Sequence, residues 1–211
     1  AYFLRGSAEL ELGDYESAKA DFDQAISMDP KNYDRLIEIY EALAAHGYRE
    51  VGQEYLQNVL DTAKQLDAYD SGRIYYYLGE YQKAYLALDE ARDKGGADSY
   101  LYLGRAYAAT GAYNYASSVY NNYLSKQGPN AEIYNELGLC EMAKKEYQNA
   151  LAAFQAGKQI EGNSLMQTLS FNEIVAYEYL QDYQKAAVLL KAYLQNYPDD
   201  QTAIREQQFL S

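Results

Sequence analysis

One six-residue signature recurs along this chain and leaves little freedom over what it folds into. The aligned copies are Gly13-Asp14-Tyr15-Glu16-Ser17-Ala18, Gly79-Glu80-Tyr81-Gln82-Lys83-Ala84, Gly111-Ala112-Tyr113-Asn114-Tyr115-Ala116, Lys145-Glu146-Tyr147-Gln148-Asn149-Ala150 and Gln181-Asp182-Tyr183-Gln184-Lys185-Ala186. A sixth, Gly47-Tyr48-Arg49-Glu50-Val51-Gly52, is degenerate. Successive copies start 32 to 36 residues apart, the length of one helix-turn-helix repeat. Apolar residues recur at intervals of three and four on both sides of each copy, which predicts two amphipathic helices around a short polar turn. The fourth repeat shows this well. Tyr100, Leu103, Gly104 and Tyr107 form the stripe of its first helix, and Ala116, Val119, Tyr120, Tyr123 and Leu124 form that of its second. Gly128-Pro129 then stops the helix, as Asp29-Pro30 and Tyr197-Pro198 do in the first and last repeats.

A small residue stands early in every second helix (Ala18, Gly52, Ala84, Ala116, Ala150, Ala186), and a large apolar one follows four residues later (Phe22, Leu56, Leu88, Tyr120, Phe154, Leu190). The small side chain lets two helices approach within about 8 to 10 Å and the large one fills the gap. Gly6, Gly72, Gly104 and Gly138 are the small residues of the first helices, where the second and sixth repeats carry Tyr40 and Ile174. In this pattern the chain resembles a tetratricopeptide repeat protein over essentially its whole length. The resemblance implies an all-α, right-handed superhelical solenoid of about six repeats (1–32, 33–66, 67–96, 97–130, 131–164 and 165–200), with a capping helix at 201–211. Asp200 is expected as the N-cap of that helix, and Ile204 and Phe209 as its apolar contacts.

Composition narrows the function. Thirty-one acidic against eighteen basic side chains give a net charge of -13, which argues against nucleic acid as a partner. A single cysteine, Cys140, and a single histidine, His46, exclude an intrachain disulfide and a His/Cys metal cluster. No apolar run approaches the roughly eighteen residues of a membrane span. The chain begins at Ala1 inside a helical stripe, so an upstream signal, anchor or further domain is expected. The composition has a bacterial style and fits a place outside the cytoplasm, with the cytoplasm as the alternative. His46 reads as a helix-end residue and Cys140 as an inert packing thiol. Pairs such as Glu9 with Glu11 and Asp21 with Asp23 point apart on a helix and read as solvated faces. Gly95-Gly96 reads as a loop. No phosphate loop, nucleophile elbow or metal motif is present, so neither catalysis nor a cofactor is expected.

The resemblance also implies that the first helices line a concave groove, and its inward positions can be read off repeat by repeat. From the second repeat they are Asp34, Ile37, Glu38 and Glu41, from the third Tyr69, Asp70, Arg73, Tyr76 and Tyr77, and from the fourth Asp98, Leu101, Tyr102 and Arg105. The fifth adds Glu132, Asn135, Glu136, Leu139 and Met142, and the sixth Gln167, Phe171, Asn172, Val175, Glu178 and Tyr179. The ligand-contacting set expected among these is Glu38, Glu41, Tyr69, Asp70, Arg73, Tyr76, Tyr77, Tyr102, Arg105, Asn135, Asn172 and Glu178, with Arg73 and Tyr102 facing solvent. Tyr and Arg anchor ligands well, because they bury much area and end in a donor. Tyr15, Tyr81, Tyr113, Tyr147 and Tyr183 are expected to be packing residues.

Some grooves of this family clamp a chaperone C-terminus with Lys, Asn and Arg. Here Glu38, Glu41 and Asp70 stand among the positions where such donors would be needed. Residues 1 to 66 hold thirteen acids and six bases, so a basic segment would be steered to that third. The first reading is therefore a non-catalytic scaffold that binds a peptide or helix of a partner protein. The alternatives are a structural module acting through self-association and a glycan- or cell-wall-binding module. The register of the fourth repeat predicts that Ala116→Leu overpacks a helix contact and lowers stability by roughly 1 to 3 kcal/mol; an unchanged melting temperature would refute that register.

Overall fold

The computed structural model describes residues 1–92 and 96–210. Among the described residues there are thirteen helices and no strand. They divide into two compact units, Ala1–Ala91 and Arg92–Ser211. The first unit contains α1 (Tyr2–Glu11), α2 (Tyr15–Met28), α3 (Tyr33–Ala45), α4 (Arg49–Thr62), α5 (Ala68–Tyr77) and α6 (Tyr81–Glu90). The second contains α7 (Gly96–Ala109), α8 (Tyr113–Gln127), α9 (Ala131–Ala143), α10 (Tyr147–Lys158), α11 (Met166–Tyr179), α12 (Tyr183–Asn196) and α13 (Gln201–Leu210). Each odd-numbered helix up to α11 packs against the even-numbered one that follows, and α12 packs against α13. Gly96 opens α7 with a φ of 57°; Gly95, its partner in the expected loop, and Ser211 lie outside the described residues.

All six turns close in the same way. The second residue of each signature donates its backbone N–H five residues back, as in Asp14 to Glu9 (2.8 Å), Ala112 to Tyr107 (3.0 Å) and Asp182 to Tyr177 (3.0 Å). This is the six-to-one bond of a Schellman ending, which requires a left-handed residue just before the donor. Gly13, Gly47, Gly79 and Gly111 supply it at φ of 78°, 88°, 78° and 77°. Lys145 and Gln181 adopt the same conformation at 64° and 62° with a side chain attached, at a cost of about 1 kcal/mol each. Asp14 and Asp182 then cap the next helix by accepting from the N–H of Ser17 (3.2 Å) and Lys185 (3.0 Å).

The core fills the pairs and continues between successive ones, as where Phe22 meets Ile39 and Leu43 or Phe154 meets Leu169 and Ala176. Ala18, Ala84, Ala116, Ala150 and Ala186 are fully buried, as are Phe22, Leu56, Leu88, Tyr120 and Phe154. A methyl group on Gly6, Gly72, Gly104 or Gly138 would press into Phe22, Leu88, Tyr120 or Phe154 of the paired helix. The second repeat reverses the roles. Tyr40 occupies the first helix, and Gly52 replaces the usual alanine opposite, where a Cβ would come within 2.9 Å of the tyrosine ring. In the sixth repeat Ile174 packs into a cluster with Ala186, Leu190, Tyr193 and Ala203.

Three expectations change. Asp21 is 6% exposed, and its carboxylate accepts from the Arg5 guanidinium across the first pair, so it is not on a solvated face. Tyr183 is 50% exposed. Tyr15 and Tyr147 stack on rings from the following repeat, Tyr48 (4.2 Å) and Tyr179 (4.9 Å), whereas no ring among the described residues stacks on Tyr183. Phe209 is 75% exposed, because α13 docks with Ala203 and Leu210, seven residues apart on one face, and this turns Phe209 outward. The Asp200 cap is present: its carboxylate accepts from the N–H of Thr202 (3.0 Å) and Ala203 (3.1 Å) and from the Tyr193 hydroxyl (2.6 Å).

The contact of Gly104 with Tyr120 yields a double-mutant test. Gly104→Ala should lower stability by about 1 to 3 kcal/mol in denaturant unfolding, and adding Tyr120→Leu should recover part of that loss. Strict additivity of the two changes would mean that the residues do not share this contact.

Candidate functional site: the faces of the first helices

In the N-terminal unit the expected site residues lie on α3 and α5. Glu38 and Glu41 are exposed on α3, with Glu38 paired to Arg35 at 3.2 Å. Arg73 of α5 differs from expectation: it is 7% exposed and does not face solvent. Its Nη1 donates to Asp34 (2.5 Å), its Nη2 donates to Asp70 (2.5 Å), and the guanidinium lies 4.3 Å from the centre of the Tyr69 ring. Burial opposes the charge on Arg73, and the two carboxylates outweigh it, so the cation is kept. Burial pushes the Asp70 carboxyl up, with Arg73 opposing. The Tyr77 hydroxyl donates to Glu41 (2.6 Å) while its ring meets those of Tyr40 and Tyr76, and Tyr76 also meets Tyr81.

In the C-terminal unit Arg105 of α7 is engaged in the same manner. It donates through Nε and Nη2 to Glu136 (3.0 and 2.7 Å) and through Nη2 to Glu132 (2.9 Å), both on α9. Burial opposes this charge too, and the two glutamates prevail. Asn135 is buried and accepts from the Asn172 carboxamide at 2.9 Å, which joins α9 to α11. Tyr102 and Glu178 are half-buried. One oxygen of Glu178 is enclosed with no hydrogen-bond partner among the described residues. Burial and then Glu206 of α13 push its carboxyl up to about 7.

The first-helix faces are therefore polar ladders between successive repeats, with both expected arginine anchors held by the chain's own carboxylates. The spacing of about one repeat between Asp34 and Arg73, or between Arg105 and Glu136, was the available signal for this pairing. Other buried polar clusters carried weaker signals. Glu141 accepts from Ser117 (2.8 Å) and Lys144 (2.7 Å), and Glu173 accepts from Gln155 (2.8 Å) and Lys158 (2.5 Å). Cys140 is buried, and its thiol is pushed up to about 12, first by burial and then by Glu136 and Glu141, which removes the thiolate at neutral pH. His46 ends α3, with Nδ1 2.9 Å from the Ala42 carbonyl and Nε2 3.4 Å from Glu11. No helix among the described residues is long and apolar enough to cross a membrane.

Tetratricopeptide repeat family models match residues 1–32, 114–164 and 171–200. The chain belongs to the tetratricopeptide repeat family, a family of helical scaffolds for protein interaction that are generally non-catalytic. No curated protein sequence matches it. Among solved structures it is similar in fold to PilW, described as a widely conserved type IV pilus biogenesis factor (TM-score 0.71, 18% identity, 99% of this chain and 96% of that one). It is also similar to pilF of Pseudomonas aeruginosa (TM-score 0.58, 18% identity, 100% and 96%). A third similar fold is YrrB, described as a TPR protein with an unusual peptide-binding site (TM-score 0.58, 18% identity, 89% and 97%).

The state of Glu178 makes stability pH-dependent. Its folded value of about 7 lies above the ordinary 4.5, so the folded chain holds an extra proton between them, and this contribution falls as pH rises from about 4.5 to 7. Glu178→Gln should therefore raise stability at pH 8 by about 1 kcal/mol, allowing for solvent screening, and should leave it unchanged at pH 4. Urea unfolding at both pH values checks this, and an equal gain at each would show that charge is not the cause.

Proposed function

We propose that the chain is a non-catalytic scaffold that holds a peptide or helix of a partner protein against the faces of its first helices, with residues 1–211 acting as one repeat array. The observation that carries this reading is the internal neutralisation of Arg73 by Asp34 and Asp70 and of Arg105 by Glu132 and Glu136. With those cations occupied, α3 still exposes Glu38 and Glu41, and the rings of Tyr69 and Tyr77 stand close by on α5. Such a face selects a segment that carries Lys or Arg beside apolar groups, and it disfavours a carboxylate tail. The fold shared with YrrB is in keeping with a peptide ligand.

The test is capture from extracts of the source cells with the wild-type chain and a Glu38→Lys/Glu41→Lys variant. Both residues are exposed, so the variant should keep its helical circular dichroism. It should lose a partner whose binding segment is basic, with affinity down about tenfold or more. Equal capture by both proteins would refute the assignment to this face. Concentration-dependent sedimentation of the free chain would favour self-association instead, and retention on a glycan or cell-wall matrix would favour a carbohydrate ligand.

A further inference from the structure

We propose that the N-terminal unit carries a second ligand site, a pocket that takes a short acidic peptide segment with an apolar side chain between its carboxylates. The cavity measures about 580 Å³, within the usual range for ligand pockets, and lies where α2 gives way to α3 and α4 ends. Its principal walls are Lys31, Tyr33, Val59, Thr62, Lys64 and Gln65, and no Asp or Glu among the described residues lines it. That absence is notable in a chain with thirty-one acidic residues.

The lysines decide the ligand's charge. Residues 1–91 contain eight Lys and Arg side chains. Six are engaged: Arg5 with Asp21, Lys19 with Asp23, Arg35 with Glu38, Arg49 with the Tyr40 hydroxyl, Arg73 with Asp34 and Asp70, and Lys83 with Glu80. Lys31 and Lys64 have no ion pair or hydrogen bond with any described residue, and these two meet at the same cavity. Each follows a helix C-terminus, which explains a cation at either place. It does not explain why both border one carboxylate-free hollow with an apolar floor. The C-termini of α2 and α4 and the N-terminus of α3 border this place, so one partial negative helix end is left over, and the two ammonium groups outweigh it.

The floor argues for a peptide over an inorganic anion. Tyr33 and Val59 are half-buried and pack against the cluster of Leu36, Ile37, Tyr40, Leu56 and Ile74, which makes them a fixed apolar wall. Phosphate would leave that wall unused, whereas a Phe or Leu flanked by Glu or Asp fills it and brings carboxylates to the rim. The Gln65 carboxamide can pair with peptide main chain there. The net charge of -13 repels long polyanions, but at physiological salt it is screened beyond about 8 Å, so a segment with two or three carboxylates within reach of Lys31 and Lys64 still binds.

This site does not rest on the function proposed above, since it uses other residues and the opposite ligand charge. The test titrates acetyl-Glu-Phe-Asp-Leu-Glu-amide into the isotopically labelled full chain and follows amide resonances by NMR. Shifts that saturate should concentrate at Tyr33, Val59 and Thr62 and should weaken with added salt. Lys31→Glu/Lys64→Glu, which should keep wild-type circular dichroism, should weaken binding about tenfold or more, while Lys31→Arg/Lys64→Arg and Glu38→Lys/Glu41→Lys should leave it within about threefold. The proposal is overturned if the pocket amides do not move, if the double Glu variant binds as well as wild type, or if the counterpart peptide with Lys in place of each acid binds the pocket equally.

Discussion

The structure depends on close approach at one point in each helix pair, where a side chain is missing or reduced to a methyl. Gly6, Gly72, Gly104 and Gly138 leave room for Phe22, Leu88, Tyr120 and Phe154, and the buried alanines of the second helices leave room in turn. A large ring can be wholly buried between two helices only when the opposing backbone yields the space, because interiors are packed without slack. Gly52 shows that the requirement falls on the pair and not on either helix. When Tyr40 takes the glycine's place on α3, the space is recovered on α4. From these contacts follow the register of each pair, the direction in which the first-helix faces point and the residues those faces can carry.

On those faces the dominant effect is electrostatic self-sufficiency. A guanidinium drawn wholly or partly out of water must keep a partner, and Arg73 and the half-buried Arg105 each keep two carboxylates supplied by the chain. What a ligand meets is therefore the remainder: exposed glutamates, tyrosine edges and, at a different place, two lysines without partners among the described residues. Net charge alone conceals this division, since an acidic chain can still hold one locally cationic hollow.

Much of this architecture was readable from the residues, for a physical reason. Turn chemistry and small-against-large packing are local rules with a fixed period, so the Gly-x-Tyr copies and the Ala/Phe alternation identify six helix pairs without any knowledge of distances. Exposure across repeats is not local. Arg73 sits at a position that a helical pattern assigns to the surface, and only the reach of Asp34, 39 residues away, and the cover of Tyr69 take it out of solvent. Phe209 and Tyr183 deviate in the other direction, because α13 docks through Ala203 and Leu210 and no ring among the described residues stacks on Tyr183. The lysine pocket has no periodic trace, since Lys31 and Lys64 lie in connections between helices, where the repeat pattern imposes no residue type.

The ladders on the first helices have a mechanical consequence. A repeat protein behaves as a row of units joined by nearest-neighbour terms, and here those joints combine ionic and neutral bonds. Arg105 with Glu132 and Glu136 ties the fourth pair to the fifth through charge, while the fifth is tied to the sixth both by the neutral carboxamide bond of Asn135 with Asn172 and by the ion pair of Lys158 with Glu173. Ionic strength thus acts on selected bonds within a joint. Salt weakens the ionic part of both joints, and the bond between Asn135 and Asn172 is the part of the fifth-to-sixth joint that ionic strength leaves untouched.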